Sequence, residues 1–411
     1  MKIDFYYKKQ TNMDTQLDTL VHTPTKSLPG NSYTDPNIFN IERRFLFRSL
    51  PVLAIPACYF DKKRNYTVVD IAHESVIVAK NKEDEYQAMA NTCRHRGKRL
   101  LDKKNINSNE RINLKSIVCP YHAWKYNLNG ELVIARGDES SLLKGLCLKK
   151  LTVEEAGGLT FYHGKSRQIP QLKELNRVLG NFQLQNGKLN ATKTYTVNAN
   201  WKLWTENFLE CWHCAPNHPE LCEVKGFINQ FEEGREDLYI HDDLNWRKQS
   251  ELQGWTPPEE VDFLSEGGLF YFNVAMPLGK DKETATQSGK QIGPSLGNLN
   301  GMKGGAIFGC FGPFLFYVAY VDYIVLFTIR PKTVDETEVE VFWVTHKDYN
   351  GTKDELTWLW DTTLQQDIVL VEETQKGVQS LYYTPGPFQA DEYRTQAFTG
   401  WWKQWYQQNK S

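Results

Sequence analysis

The chain lacks an excess of charge of either sign: 48 Lys and Arg stand against 50 Asp and Glu over 411 residues, a formal net charge of −2. Phosphate neutralisation requires a basic surface, so nucleic acid is excluded as a main partner. No secretory leader is expected either. The opening stretch MKIDFYYKKQTNMDTQLDTL is polar and mixed in charge, with no apolar core and no small-residue cleavage site. Cysteine is sparse, eight in all, which is not the dense framework of a small secreted domain. Together these absences predict a cytoplasmic protein without structural disulfides. One apolar run, Gly305 to Ile329, is long enough to cross a bilayer, which takes about 20 residues. It contains Pro313, Asp322 and glycines, and its Phe, Tyr, Val and Ile content favours strands. Two buried strands of a sheet are expected there, and no membrane association.

What is present is an ordinary globular composition, 40% hydrophobic and 24% charged. The length suggests two to three domains of roughly 150 residues each. Residues 1–44 are polar and read as an N-terminal arm packing on the larger unit. Residues 45–164 hold short β-branched and aromatic runs such as YTVVDIA, ESVIVAKN and SIVCPYHAWKYN, with Asn129-Gly130 the clearest hairpin turn. That is an all-β pattern. Residues 165–411 alternate strands with helix-compatible segments, PQLKELNRVLG and DELTWLWDTTLQQDIVLVEETQKGVQSL. The whole is α+β, an all-β unit followed by an antiparallel sheet covered by helices. Gly279 to Gly304, rich in Gly, Ser, Lys and Asn, reads as a mobile loop.

Chemistry concentrates first at Cys93-Arg94-His95 and Cys119-Pro120-Tyr121-His122. Two thiolates and two imidazoles can hold one structural zinc, or a [2Fe–2S] cluster in which two His replace two Cys on one iron. Each loop supplies one Cys and one His, which suits the cluster. Gly97 permits a turn beside it, and Tyr121 could donate a tuning hydrogen bond. CRHRG with CPYHAWKY resembles the signature of the Rieske non-haem iron oxygenases, in the oxygenase component. The departure is the separation of 23 residues between His95 and Cys119, swollen by the polar insert DKKNINSNERINLK. Loop closure cost grows slowly with length, so the insert leaves the ligand set intact.

The second constellation is ENFLECWHCAPNHPEL, carrying Glu210, His213 and His218. Alone, two His with this spacing are weak evidence for anything. With a carboxylate they would form the two-His, one-carboxylate set of non-haem Fe(II) oxygenases. Spacing leaves Asp361, Asp367, Glu372 and Glu373 all in play. The resemblance selects Asp367, because QQDIVLVEETQKGV looks like the family's C-terminal motif, with Gln375 and Gly377 in the later places. It also assigns Glu210 as the acidic bridge that links the cluster domain of one subunit to the iron of its neighbour. Glu at that place, with the flanking ECWHC and NHPEL, resembles the branch acting on glycine betaine, choline and carnitine. Cys211 and Cys214 form a C-x-x-C pair, but no thioredoxin-like βαβ context surrounds them.

The resemblance implies a terminal oxygenase that hydroxylates or N-demethylates a quaternary or methylated amine with O₂. No G-x-G-x-x-G loop and no plant-type ferredoxin spacing occurs. A separate NAD(P)H-dependent flavin/iron–sulfur reductase is therefore implied, as is a homotrimer. Trp212, Phe270, Tyr271, Phe272, Trp401 and Trp402 are candidates for an aromatic cage, though aromatics on sheets usually serve the core. The C-terminal FTGWWKQWYQQ is expected at a surface or interface. Two alternatives stand beside this reading: an aromatic-ring hydroxylating Rieske oxygenase, and a zinc-stabilised binding protein without redox activity.

Overall fold

The computed structural model describes residues 25–104, 112–135, 143–165, 168–226, 228, 230, 234–266, 269–389 and 392–410. Residues 1–24 of the expected arm, and 105–111 of the polar insert, lie outside them. The first unit contains β1 (Val52–Pro56), β2 (Tyr66–Ile71), β3 (Glu74–Lys80), β4 (Tyr86–Ala90), β5 (Ile117–Val118), β6 (Lys125–Tyr126), β7 (Leu132–Ile134), β8 (Lys150–Ala156) and β9 (Leu159–His163). Six of these form an antiparallel sheet of order β1-β9-β8-β4-β3-β2, and β5-β6-β7 form a small second sheet. Valine and isoleucine dominate β2 and β3, whose branched side chains fit the pleated, half-buried surface. The Asn129-Gly130 turn is present: Gly130 has φ 83°, and its N–H donates to the Asn127 carbonyl at 3.0 Å.

The second unit is a seven-stranded antiparallel sheet of order β10-β16-β15-β14-β13-β12-β11. Its strands are β10 (Lys188–Val197), β11 (Val261–Glu266), β12 (Leu269–Pro277), β13 (Gly305–Phe311), β14 (Leu315–Ala319), β15 (Tyr323–Pro331) and β16 (Thr337–Thr345). Four helices matter for the site: α1 (Trp201–Phe208), α2 (Pro219–Lys225), α3 (Lys353–Val378) and α4 (Tyr393–Asn409). The run Gly305–Ile329 makes three strands, β13 to β15, rather than two. Gly312, at φ 64°, turns the chain between the first pair, and Val321-Asp322 turns it between the second. Among the described residues no helix is long and apolar enough to cross a membrane.

Asp322 explains why the Gly279–Gly304 segment is pinned rather than loose. Its carboxylate accepts from Thr284 Oγ1 at 2.6 Å and from the Ile292 N–H at 2.9 Å, and Thr284 and Thr286 are fully buried. A stretch rich in glycine can still be fixed when its few side chains find buried partners. The two units meet through polar contacts. Arg330 in β15 pairs with Glu340 at 3.0 Å and donates to the Leu53 carbonyl of β1, both side chains being buried. Residues before the first unit bond to the second: Glu42 accepts from Lys202 Nζ and Trp402 Nε1, each at 2.7 Å, and from Trp201 Nε1 at 2.9 Å. Trp401 and Trp402 on α4 are therefore core residues, not surface ones.

Candidate metal centres

The first centre rests on two turns of the same form. In the loop after β4, the Cys93 N–H donates to the Lys98 carbonyl at 2.9 Å, and the Gly97 N–H donates to the Cys93 carbonyl at 3.0 Å. Between β5 and β6, the Cys119 N–H donates to the Trp124 carbonyl at 2.8 Å, and the Ala123 N–H donates to the Cys119 carbonyl at 3.0 Å. The fourth residue after each Cys has positive φ, 71° at Gly97 and 57° at Ala123. Such a turn folds each loop back on itself within four residues of its Cys. Cys93 and Cys119 are buried and unbridged. His95 is exposed and His122 half-buried, their ring centroids 4.7 Å apart, with His95 stacked on Trp124. Two buried thiols below two outward imidazoles is a donor set suited to a cluster with one iron on sulfur and the other on nitrogen.

The tyrosine hydroxyl that lies beside a cluster-site thiol is that of Tyr126, not Tyr121. Tyr121 is 57% exposed and lies against His122, with centroids 3.8 Å apart. Tyr126, buried on β6, places its hydroxyl 3.3 Å from Cys93 Sγ and accepts from the Arg94 N–H at 3.1 Å. Sequence reading passed it over because a tyrosine in a strand ordinarily belongs to the core.

At the second centre α1 ends at Phe208, and a short turn presents His213 and then His218, which precedes Pro219 at the start of α2. Proline at the first helical position lacks an N–H that would go unpaired anyway. Both imidazoles are anchored by Nδ1. His213 Nδ1 donates to Glu210 Oε1 at 2.5 Å, and His218 Nδ1 donates to Gln366 Oε1 at 2.7 Å. That arrangement leaves each Nε2 as the available lone pair, the tautomer a metal ligand needs. The two Nε2 atoms converge on Asp367 of α3: His213 Nε2 is 3.3 Å and His218 Nε2 3.0 Å from Oδ1. His218 Nε2 is buried and, though close to Asp367, makes no hydrogen bond. An orphaned buried nitrogen facing a buried carboxylate is what a missing cation would satisfy.

The electrostatics agree. Burial lowers the pKa of His213, but hydrogen bonds to Asp367 and Glu210 outweigh it and raise the pKa to about 9. Burial likewise acts to raise Asp367, and the two His override it and hold the carboxyl low. Both effects show a pocket whose carboxylates call for positive charge. The three competing acids are engaged elsewhere. Asp361 binds Lys193 and Tyr195, Glu372 accepts from Asn198, and Glu373 pairs with Lys376.

Three supporting residues escaped the sequence reading. Asn207 Nδ2 donates to Asp367 Oδ1 at 2.9 Å, and Gln366 Nε2 donates to Glu220 Oε2 at 3.1 Å, which fixes the amide that holds His218. Cys211 and Cys214, expected to be unbridged, are joined by a disulfide that brackets Trp212-His213. Cys214 Sγ also lies within 4.8 Å of the His213 and His218 ligand atoms, but a sulfur already bonded to another is not a thiolate ligand. Trp212 is exposed at the rim, whereas Phe270 packs on Trp401 with centroids 4.9 Å apart, as core.

Comparison with known proteins is consistent with both centres. Residues 51–144 match the Rieske [2Fe-2S] domain, and residues 184–408 match the ring hydroxylating alpha subunit (catalytic domain). The glycine betaine monooxygenase oxygenase subunit of Pseudomonas aeruginosa is 30% identical over 374 residues, covering 88% of this chain and 84% of that one. The carnitine monooxygenase oxygenase subunit of Escherichia coli is 26% identical over 369 residues, covering 87% and 85%. The quaternary ammonium Rieske monooxygenase CntA bound to L-carnitine has the same fold, with TM-score 0.68, 19% identity and coverage of 94% and 98%. So does naphthalene 1,2-dioxygenase from Rhodococcus sp., with TM-score 0.63 and 16% identity. The chain therefore belongs to the Rieske non-haem iron oxygenases, whose cofactors are a Rieske [2Fe–2S] cluster and a mononuclear iron, and it is an O₂-dependent oxidoreductase of the monooxygenase kind.

Proposed function

We propose that this chain is the terminal oxygenase of a monooxygenase system that removes an N-methyl group from a quaternary or methylated amine of the glycine betaine or carnitine type. Electrons would come from a separate NAD(P)H-dependent reductase. In this reading Cys93 and Cys119 hold one iron of the cluster, His95 and His122 the other, and His213, His218 and Asp367 hold the mononuclear iron. When bound, the iron supplies O₂ activation and the cluster supplies reducing equivalents. The chain's own residues set the stage. Gln366 and Glu210 keep a proton on each Nδ1, and Asn207 orients Asp367. The overall change balances: methyl, O₂, two electrons and two protons give a hydroxymethylammonium and water. Loss of the hydroxyl proton then cleaves the C–N bond and releases formaldehyde and the demethylated amine.

The observation that carries the electron-transfer part is Glu210. It is bonded to His213 and to the Trp212 N–H, and among the described residues it makes no hydrogen bond to His95 or His122 of its own chain. A carboxylate bonded to an iron ligand, partly exposed and joined to no cluster His of its own chain suits a neighbour's cluster, and so a cyclic trimer. We also assign residues 1–44 as an arm, 45–164 as the cluster domain and 165–411 as the catalytic domain. The test is O₂ uptake with a matched reductase over a panel of methylammonium and aromatic compounds, after iron and acid-labile sulfide analysis. Uptake with methylammonium compounds is expected. Uptake confined to aromatic hydrocarbons would move the chain to the ring-hydroxylating branch, and zinc without sulfide would end the redox reading.

A further inference from the structure

The turn that carries His213 also carries a disulfide. Cys211 and Cys214, three positions apart, are joined, and the other six cysteines are unbridged. A bridge over so short a span removes less chain entropy than a long-range one, so stabilising the fold does not by itself account for its place. The turn has other ties. The Cys214 N–H donates to the Cys211 carbonyl at 3.1 Å, and the His218 N–H donates to the Cys214 carbonyl at 2.8 Å. Asn217 Nδ2 donates to the His213 carbonyl at 2.8 Å. Opening the bridge frees two sulfurs and leaves these three bonds around both imidazoles in place.

What is freed matters because of where Cys214 sits. Its side chain is buried, and its Sγ and one ring nitrogen from each of His213 and His218 all lie within 4.8 Å of one another. Tetrahedral zinc, with bonds of about 2.0 Å to nitrogen and about 2.3 Å to sulfur, sets such atoms about 3.5 Å apart. A Cys214 side chain released from the bridge has only that difference to close by rotation about χ1. The two states offer a metal different donors. Bridged, the sulfur is neutral and already bonded, so the site is two imidazoles and the Asp367 carboxylate, a set suited to Fe(II). Open, it adds a thiolate, the soft ligand that favours zinc. Zinc already outranks Fe(II) at most nitrogen and oxygen sites, so a thiolate beside them widens the disadvantage of iron.

We propose that the Cys211–Cys214 bridge is a thiol–disulfide switch that decides which metal the His213–His218 site accepts. Closed, it reserves the site for iron; open, it admits zinc on Cys214. This rests on the assignment of His213, His218 and Asp367 to the mononuclear iron above. Cys211 is the half-buried sulfur, beside the exposed Trp212, so a dithiol reductant meets it first. The reductant's thiolate attacks Cys211 Sγ, the S–S bond breaks, and Cys214 leaves as the thiolate. The second thiolate then closes the reductant's own disulfide and releases Cys211. Two electrons and two thiol protons thus pass from the reductant to the cysteine pair, and Cys214 gives its proton to solvent as zinc binds. Zinc has no redox chemistry, so the open, zinc-filled site cannot activate O₂.

The test uses the full-length, cluster-loaded protein after chelation of its mononuclear iron. Peptide mapping after alkylation should find Cys211 and Cys214 bridged in air, and both alkylated once a phosphine has reduced them. Zinc affinity is read by competition with a chromophoric chelator, and Co(II) reports sulfur ligation through its near-ultraviolet charge-transfer band. Cys211→Ser, which leaves Cys214 as a permanent thiol, should bind zinc at least about 10-fold tighter than bridged wild type and show that band. Cys214→Ser should show neither change. Reduced wild type, desalted anaerobically, stands in for Cys211→Ser should that variant fail to fold. An unbridged pair in air, a zinc affinity that ignores the state of the pair, or no sulfur–cobalt band in the open forms overturns the switch. Uptake of one Fe(II) per chain by bridged wild type in those cases leaves the iron-site reading standing. Bridged wild type that takes up no Fe(II), with open forms that take up no zinc, overturns both.

Discussion

At the residue scale, the account depends on which atoms of which side chains are left without a partner. His213 and His218 each commit Nδ1 to an oxygen, so their Nε2 atoms and Asp367 are the converging donors. Asp367→Ala should strip mononuclear iron while leaving cluster iron and sulfide at wild-type content, as read by metal analysis and by the cluster's visible spectrum. Unchanged iron would point back to Glu372 or Glu373. At the other centre, Tyr126→Phe removes the hydroxyl beside Cys93 Sγ. A hydrogen bond to sulfur favours the more negative, reduced cluster. Its loss, at about 0.5–1.5 kcal/mol, should lower the reduction potential by roughly 20–60 mV. An unmoved potential in a redox titration would remove Tyr126 from that role. His213 and His218 were legible in the sequence because their spacing is local, whereas Asp367 was reached only through the family's C-terminal motif. Tyr126, Asn207, Gln366 and Glu220 were not, because each acts on a partner brought near by folding: Gln366 is 148 positions from His218.

At the scale of elements, the same division recurs. Helix α3 was plain from its long unbroken run, and the two cluster turns from Gly97 and their paired Cys and His. The three strands of Gly305–Ile329 were read as two, since an apolar run gives no period when both faces are buried. The Gly279–Gly304 segment looked loose because composition cannot show that Asp322 reaches it. Burial, partly opposed by its hydrogen bonds, raises the Asp322 carboxyl to about 6. A raised carboxylate means that the folded chain holds a proton the unfolded chain has lost, so Asp322's contribution to stability falls as pH rises through about 4 to 6. Wild type should thus lose on the order of 3 kcal/mol relative to Asp322→Asn between pH 4 and pH 7, measured by denaturant unfolding of both proteins. A difference independent of pH would mean that Asp322 is ionised in the fold throughout.

At the scale of the whole molecule, one chain holds two centres and a carboxylate, Glu210, that connects only one of them within the described residues. The sequence could suggest the assembly through resemblance alone, because nothing in a single chain's pattern encodes a neighbour. Cys119→Ser, lacking the cluster, and Asp367→Ala, lacking the iron, should each be inactive alone. Refolded or co-expressed together, they should regain about a quarter of wild-type turnover, since roughly one neighbouring pair in four then joins an intact cluster to an intact iron site. No recovery would place electron transfer within one chain. The central claim, oxidation of an N-methyl group, is tested most directly by the yield of formaldehyde per O₂ consumed with glycine betaine and a matched reductase. The account expects a ratio near one, with an equal yield of the demethylated amine; O₂ consumed with no formaldehyde, and the substrate recovered with its methyl groups intact, would contradict it.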